Sequence, residues 1–154
     1  MNQALNDETV TMPCEVTIAT LKAFSDAWNR HDLPCLMSFM HPDCIFETAG
    51  GPEAFGSRHV GTAEVAKAFE LAWLHCPDAR WLDDQHFVQG AQGMSQWTFC
   101  GTELDGTRIE VWGVDVLTFR DGKIAVKNAF RKNRPRLPKQ PVTDDVILQQ
   151  RAKL

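Results

Sequence analysis

Thr107-Arg-Ile-Glu-Val-Trp-Gly-Val-Asp-Val-Leu-Thr-Phe-Arg120 is the stretch that decides the fold. Successive side chains of a strand point to opposite faces. One face of this run is Ile109, Val111, Gly113, Asp115, Leu117 and Phe119; the other is Arg108, Glu110, Trp112, Val114, Val116 and Thr118. Asp105-Gly106 and Asp121-Gly122 flank it, and both are hairpin signals. Two neighbouring strands follow, about 94–104 and 123–132, and a further strand at 80–89 is joined through Gly90-Ala-Gln-Gly93. A carboxylate among apolar neighbours on its own face costs on the order of several kcal/mol unless it is paired or protonated. Asp115 is therefore the first candidate for chemistry.

Turn geometry sets the expected register. A two-residue turn at Asp105-Gly106 pairs Gln96 with Asp115. A three-residue loop with a glycine bulge at Arg120-Asp121-Gly122 pairs Lys127 with Asp115. Gln96, Asp115 and Lys127 then form one row across three strands. A two-residue second turn would put Asn128 there instead. On the same reasoning Trp97 and Phe99 join Trp112, Val114 and Val116 on the opposite face. That face is too apolar to be left wet, so it is expected to hold a homodimer together.

Upstream of the strands the apolar spacing is helical. Leu21, Phe24 and Trp28 predict an amphipathic helix over about 14–30. Asp32 caps a second short helix with Pro34 in its first turn. Cys44-Ile-Phe-Glu-Thr48 reads as a short strand, and Ala49 to Gly61, with four glycines, as a loop and candidate lid. Thr62 is expected to cap a third helix that ends at Pro77. Residues 1–13 read as a tail, 14–134 as the domain and 135–154 as a second tail, with a short helix begun at Thr143.

Composition narrows the classes. The chain has 154 residues, 44% of them hydrophobic, enough for one domain with a core. The net charge of −4 argues against nucleic acid as a partner. No apolar run reaches the roughly 18 residues of a membrane span, and no signal peptide is visible at the N-terminus. Five cysteines without a CxxC spacing read as reduced thiols of a cytoplasmic protein. No metal-ligand spacing and no nucleotide fingerprint is present, so neither metal nor cofactor is expected.

Helices first and a curved antiparallel sheet after them resemble the nuclear transport factor 2-like superfamily, which includes the SnoaL-like polyketide cyclases and ketosteroid isomerases. The resemblance rests on Phe24-Ser-Asp-Ala-Trp-Asn-Arg-His-Asp-Leu33, His41-Pro-Asp-Cys-Ile-Phe-Glu47, Gly61-Thr-Ala-Glu-Val65 and Gly113-Val-Asp-Val-Leu-Thr-Phe-Arg-Asp-Gly-Lys-Ile124. It implies an α+β cone: a curved sheet wrapped around the N-terminal helices, with an apolar pocket inside. The ketosteroid isomerase positions fall on Phe24, Thr48 and Asp115, of which only the last keeps a suitable group. Those of limonene epoxide hydrolase fall on Gln96, Thr98 and Ala129, which lack its Arg and Asp residues. The acid of the polyketide cyclases is retained at Asp115. Gln85-His-Phe-Val-Gln-Gly90 resembles a scytalone dehydratase segment with a catalytic histidine, which adds His86.

The expected function is thus cofactor-free acid/base chemistry, an isomerase, cyclase or lyase acting on a small hydrophobic carbonyl compound. Asp115 and His86 are the candidate catalytic residues. Lys127, Gln96, Glu47, Phe24 and Trp28 are the candidate ligand-binding residues. Simple register through a four-residue loop at 90–93 puts Phe87 rather than His86 beside Asp115, and a bulge reverses this. The alternative function is a small-ligand carrier or protein-interaction module in which Asp115 and Lys127 form a structural pair.

Overall fold

A computed structural model describes residues 15–139. Cys14, the N-terminal tail and the helix expected at Thr143 lie outside the described residues. Helix α1 spans Ile18–Asn29, α2 Leu33–Ser38 and α3 Thr62–His75. The strands are β1 Met40–Glu47, β2 Arg58–Val60, β3 Arg80–Gln89, β4 Gln92–Thr102, β5 Arg108–Arg120 and β6 Lys123–Arg131. They form one six-stranded curved sheet in the order β2-β1-β6-β5-β4-β3. Only β1 and β6 pair in parallel; the other neighbours are antiparallel.

Local chemistry explains the helix ends. Thr17 and Thr20 exchange side-chain and backbone bonds at the start of α1, satisfying donors that the first turn leaves free. Asp32 caps α2 by accepting from the Cys35 amide, with proline in the first turn as expected. Thr62 does not cap α3. Gly61 holds the cap position with φ of 83°, a left-handed backbone that favours glycine, and Thr62 is the first helical residue. The expected lid carries β2 and is tied to β1 through Thr48, whose amide bonds the Ser57 carbonyl and whose hydroxyl accepts from the Ser57 amide.

Each of the two glycine turns around β5 has the length expected of the other. Leu104, Asp105 and Gly106 form a three-residue loop. The Gly106 amide bonds the Glu103 carbonyl, and Gly106 is left-handed. Asp121-Gly122 is a two-residue turn with φ of 52° and 70°, the type I′ pattern. A one-residue slip carries every side chain of a strand to the other face. Ser95, not Gln96, therefore lies opposite Asp115, and Trp97 and Phe99 face inward. On β6 a bulge at Ala125 compensates for the shorter turn. Lys127 returns to the face of Asp115, although its register partner is Leu117 and Asp115 stands opposite Ala129.

The helices cover the concave face. Leu21, Leu36, Val65, Phe69, Leu117 and Ile124 are wholly buried there. Phe24 meets Trp28, Phe39 and Phe69 edge-on. Such aromatic pairs add roughly 0.5–1.5 kcal/mol each beyond their buried area.

Candidate active site in the concave face

Asp115 and Lys127 are buried together, 6% and 5% exposed, and Lys127 Nζ donates to Asp115 Oδ1 at 2.6 Å. The indole Nε1 of Trp97 donates to Asp115 Oδ2 at 3.0 Å. Trp97 reaches the carboxylate because its cross-strand partner is Gly113. A methyl group at Gly113 would overlap the Trp97 six-membered ring. The Lys127 ammonium lies 4.7 Å from the ring centre of Phe46, 5.6 Å from Trp28 and 6.0 Å from Phe69. Those π faces attract the cation in place of water.

His86 lies on the same face. The turn at Gly90-Ala91 has two residues, so His86 pairs with Ser95, and Ser95 pairs in turn with Asp115. The His86 ring is closely held. Nδ1 is 2.9 Å from the Ser95 hydroxyl and Nε2 is 2.9 Å from Asp84 Oδ2. Burial pushes the Asp84 carboxyl up. Hydrogen bonds from Ser25 and His86 and the charge of Lys22 outweigh it, leaving Asp84 below the usual range. Lys22 reaches Asp84 at 3.5 Å from the exposed face of α1.

Two expected ligand-binding residues stand elsewhere. Gln96 is exposed on the outer face, moved there by the three-residue turn. Glu47 also points outward. It is level with Asn128, while the preceding Phe46 is level with Lys127 inside. Its carboxylate binds Arg58 of β2 at 2.8 and 2.5 Å. Of the two aromatic candidates, Trp28 borders Lys127 directly, and Phe24 packs behind it.

Ser95, Trp97 and Asp84 are the polar residues of this site that sequence reasoning missed. For the first two the signal was the turn Glu103-Leu-Asp-Gly-Thr107, which fits a type I turn followed by a left-handed glycine. For Asp84 it was the broken alternation of Trp81-Leu-Asp-Asp-Gln-His86. Trp81 and His86 can share a face only if the strand is bulged between them.

Among the described residues no group of three or more His, Cys, Asp or Glu side chains is gathered as for a metal ion. No described helix is long and apolar enough to cross a membrane. Three grooves of about 260, 310 and 220 Å³ lie away from Asp115, lined by Trp112, Phe130, Glu110, Arg131, Lys132 and their neighbours.

The model of the SnoaL-like domain matches residues 21–127, most of the chain. This chain belongs to the SnoaL-like domain family. A Xanthomonas campestris protein of unknown function with a cystatin-like fold is 24% identical to it, with a TM-score of 0.67. That match covers 77% of this SnoaL-like chain and 92% of the other. A candidate polyketide cyclase from Xanthomonas campestris pv. campestris is 18% identical, with a TM-score of 0.63 and coverage of 71% and 85%. A hypothetical protein from Catenulispora acidiphila with a ketosteroid isomerase-like fold, in complex with trimethylamine, is 14% identical. Its TM-score is 0.65 and the coverage is 75% and 86%. At these identities the likeness establishes the cone-shaped α+β fold. No curated protein matches this SnoaL-like chain.

Proposed function

We propose that this SnoaL-like protein catalyses proton transfer on a small hydrophobic carbonyl compound held in the cone, an isomerisation, cyclisation or dehydration without a cofactor. The observation that supports it is the row His86, Ser95 and Asp115 on adjacent strands of the concave face, with Lys127 bonded to Asp115. Two proton-carrying groups then share the concave face, with Trp28, Phe46 and Phe69 around the Lys127 ammonium. In the proposed step Asp115 takes a proton from the carbon next to the carbonyl. The C–H electron pair moves to oxygen, and the Lys127 ammonium stabilises the resulting enolate. His86 returns a proton. Ser95, which takes the inward place expected of the ligand-binding candidate Gln96, offers its hydroxyl to the same oxygen.

A specific observation favours a non-catalytic carrier as the second reading. Both oxygens of Asp115 are engaged, by Lys127 and by Trp97, and the carboxylate is almost fully buried. Mass spectrometry of small molecules that co-purify with the protein supplies the first probe ligand. A general acid/base contributes roughly 10²- to 10⁴-fold to a rate. Asp115→Asn should lower turnover of that ligand by about this factor while ligand binding persists. A carrier shows binding and no turnover in either protein.

The working unit in this proposal is a homodimer of the 14–134 domain in the cytoplasm, joined through the outer sheet face. Phe87, Met94, Trp112, Val116 and Phe130 are exposed together on that face. Contiguous apolar patches of this kind mark contacts.

A further inference from the structure

Asp84 stands at a kink in β3, two residues before His86 and on the same face. Between Leu82 and Gln85 the β3–β4 register shifts by one residue, and Asp83 takes a left-handed backbone with φ of 54°. That conformation is costly for a residue with a side chain. Its consequence is specific. Trp81 points inward before the bulge, and Asp84 and His86 point inward after it. Without the extra residue Asp84 and His86 would stand on the outer face whenever Trp81 stood inside.

We propose that Asp84 is a positioning residue that fixes the tautomer of His86, and that Ser95 relays the His86 proton toward a ligand bound beside Asp115. The relay rests on the acid/base reading above; the tautomer does not. An ionised carboxylate only accepts hydrogen bonds, so the 2.9 Å contact with Asp84 requires a proton on His86 Nε2. In the neutral ring Nδ1 is then a lone pair, and the Ser95 hydroxyl donates to it across 2.9 Å. When the ring is protonated, Nδ1–H donates to Ser95 Oγ instead. The Ser95 hydroxyl hydrogen is released to turn toward a ligand beside Asp115. In the transfer the Ser95 hydroxyl gives its proton to the ligand oxygen or carbanion and takes the Nδ1 proton. Serine ends neutral, and His86 returns to the Nε2–H form. Ser95 is thus a donor to the ligand only while His86 carries the extra proton. Lys22 stands 3.5 Å from the same Asp84 oxygen, so its charge also favours the ionised carboxylate.

Long-range ¹H–¹⁵N correlation spectra of the full chain read the tautomer without a substrate. The chain has five histidines, and the His86 signals are those lost in His86→Gln. With the ring neutral, the expected pattern is a protonated Nε2 and an unprotonated Nδ1. Ser95→Ala should keep it, because the carboxylate still holds Nε2–H. Asp84→Asn should shift the ring toward Nδ1–H, since the amide can donate to Nε2. A purely structural Asp84 would leave the tautomer unmoved, and that result overturns the proposal. So does an Nδ1–H ring in the wild type, which decides the matter even if Asp84→Asn fails to fold. Loss of turnover in Asp115→Asn tests the acid/base reading separately, so either can fail without the other.

Discussion

Breaking the Asp115–Lys127 pair from one side should cost far more than removing it altogether. Both side chains are buried, and their contact is 2.6 Å. Taking away one partner of such a pair leaves an uncompensated charge and costs roughly 3–5 kcal/mol. Asp115→Asn belongs near the lower end. The amide oxygen still accepts from Trp97, and three aromatic rings still face the ammonium. Lys127→Met belongs near the upper end, because a carboxylate bonded only by the indole remains among apolar groups. The double variant carries no buried charge, and methionine follows the path of the lysine stem. It should lose less than about 2 kcal/mol, giving a coupling of about 6 kcal/mol. Urea unfolding measures this. With a slope of about 2 kcal/mol/M, each single variant shifts its midpoint by about 1.5 M or more, and the double variant by less than about 1 M. Additive losses, or single variants within about 1 kcal/mol of wild type, would refute the burial argument. An Asp115→Asn protein that is destabilised yet turns over ligand at the wild-type rate would remove the catalytic assignment.

The remaining predictions test the scaffold. Gly113→Ala should displace the Trp97 ring and break its bond to Asp115, costing roughly 1–3 kcal/mol as an overpacked site; a change in indole fluorescence with a lower unfolding midpoint would show it. Trp112→Glu buries a charge in the proposed dimer contact, so light scattering should find monomers or aggregates where the wild type is dimeric. A monomeric wild type at micromolar concentration sinks that contact. Burial pushes the Cys76 thiol from 9.0 up to about 11. Between those values the unfolded chain has lost the proton that the folded chain keeps, so stability falls as pH rises from about 9 to 11. Cys76→Ala should flatten part of that alkaline fall in thermal unfolding. An identical pH profile would count against a buried neutral thiol.

The fold was legible because its signals are periodic and local. Leu21, Phe24 and Trp28 mark the stripe of α1, and the glycine turns divide the strands β3 to β6. The site was less legible because it depends on parity, and parity depends on single residues in turns and bulges. Asp105-Gly106 and Asp121-Gly122 share one dipeptide signature yet form loops of different length. Neither dipeptide states how many residues its loop will take, and that number decides whether Gln96 or Ser95 lies opposite Asp115. The β2 strand was missed for a related reason. Three residues inside a glycine-rich segment carry no alternation, and only pairing with β1 defines them.

Lys127 shows how the expected face can be reached through an incorrect turn and an incorrect register. The expected three-residue loop put it beside Asp115 in the ladder. The observed two-residue turn alone would have brought Asn128 to that face, and the bulge at Ala125 undoes the exchange. Two shifts of one residue cancel in parity, but they do not cancel in position. Lys127 ends diagonal to Asp115, opposite Leu117, and its long side chain spans the offset. The offset leaves small Ala129 directly opposite the carboxylate. Asp115 therefore has Ser95 on one side and a methyl group on the other, and its charge partner approaches obliquely. The lysine stem can lie against Phe46 and Trp28 on that path, which a direct cross-strand contact from position 129 would not allow. The bulges at Asp83 and Ala125 have a common effect: each reverses the parity of one strand, so that Trp81 joins His86, and Lys127 joins Asp115, on the covered face.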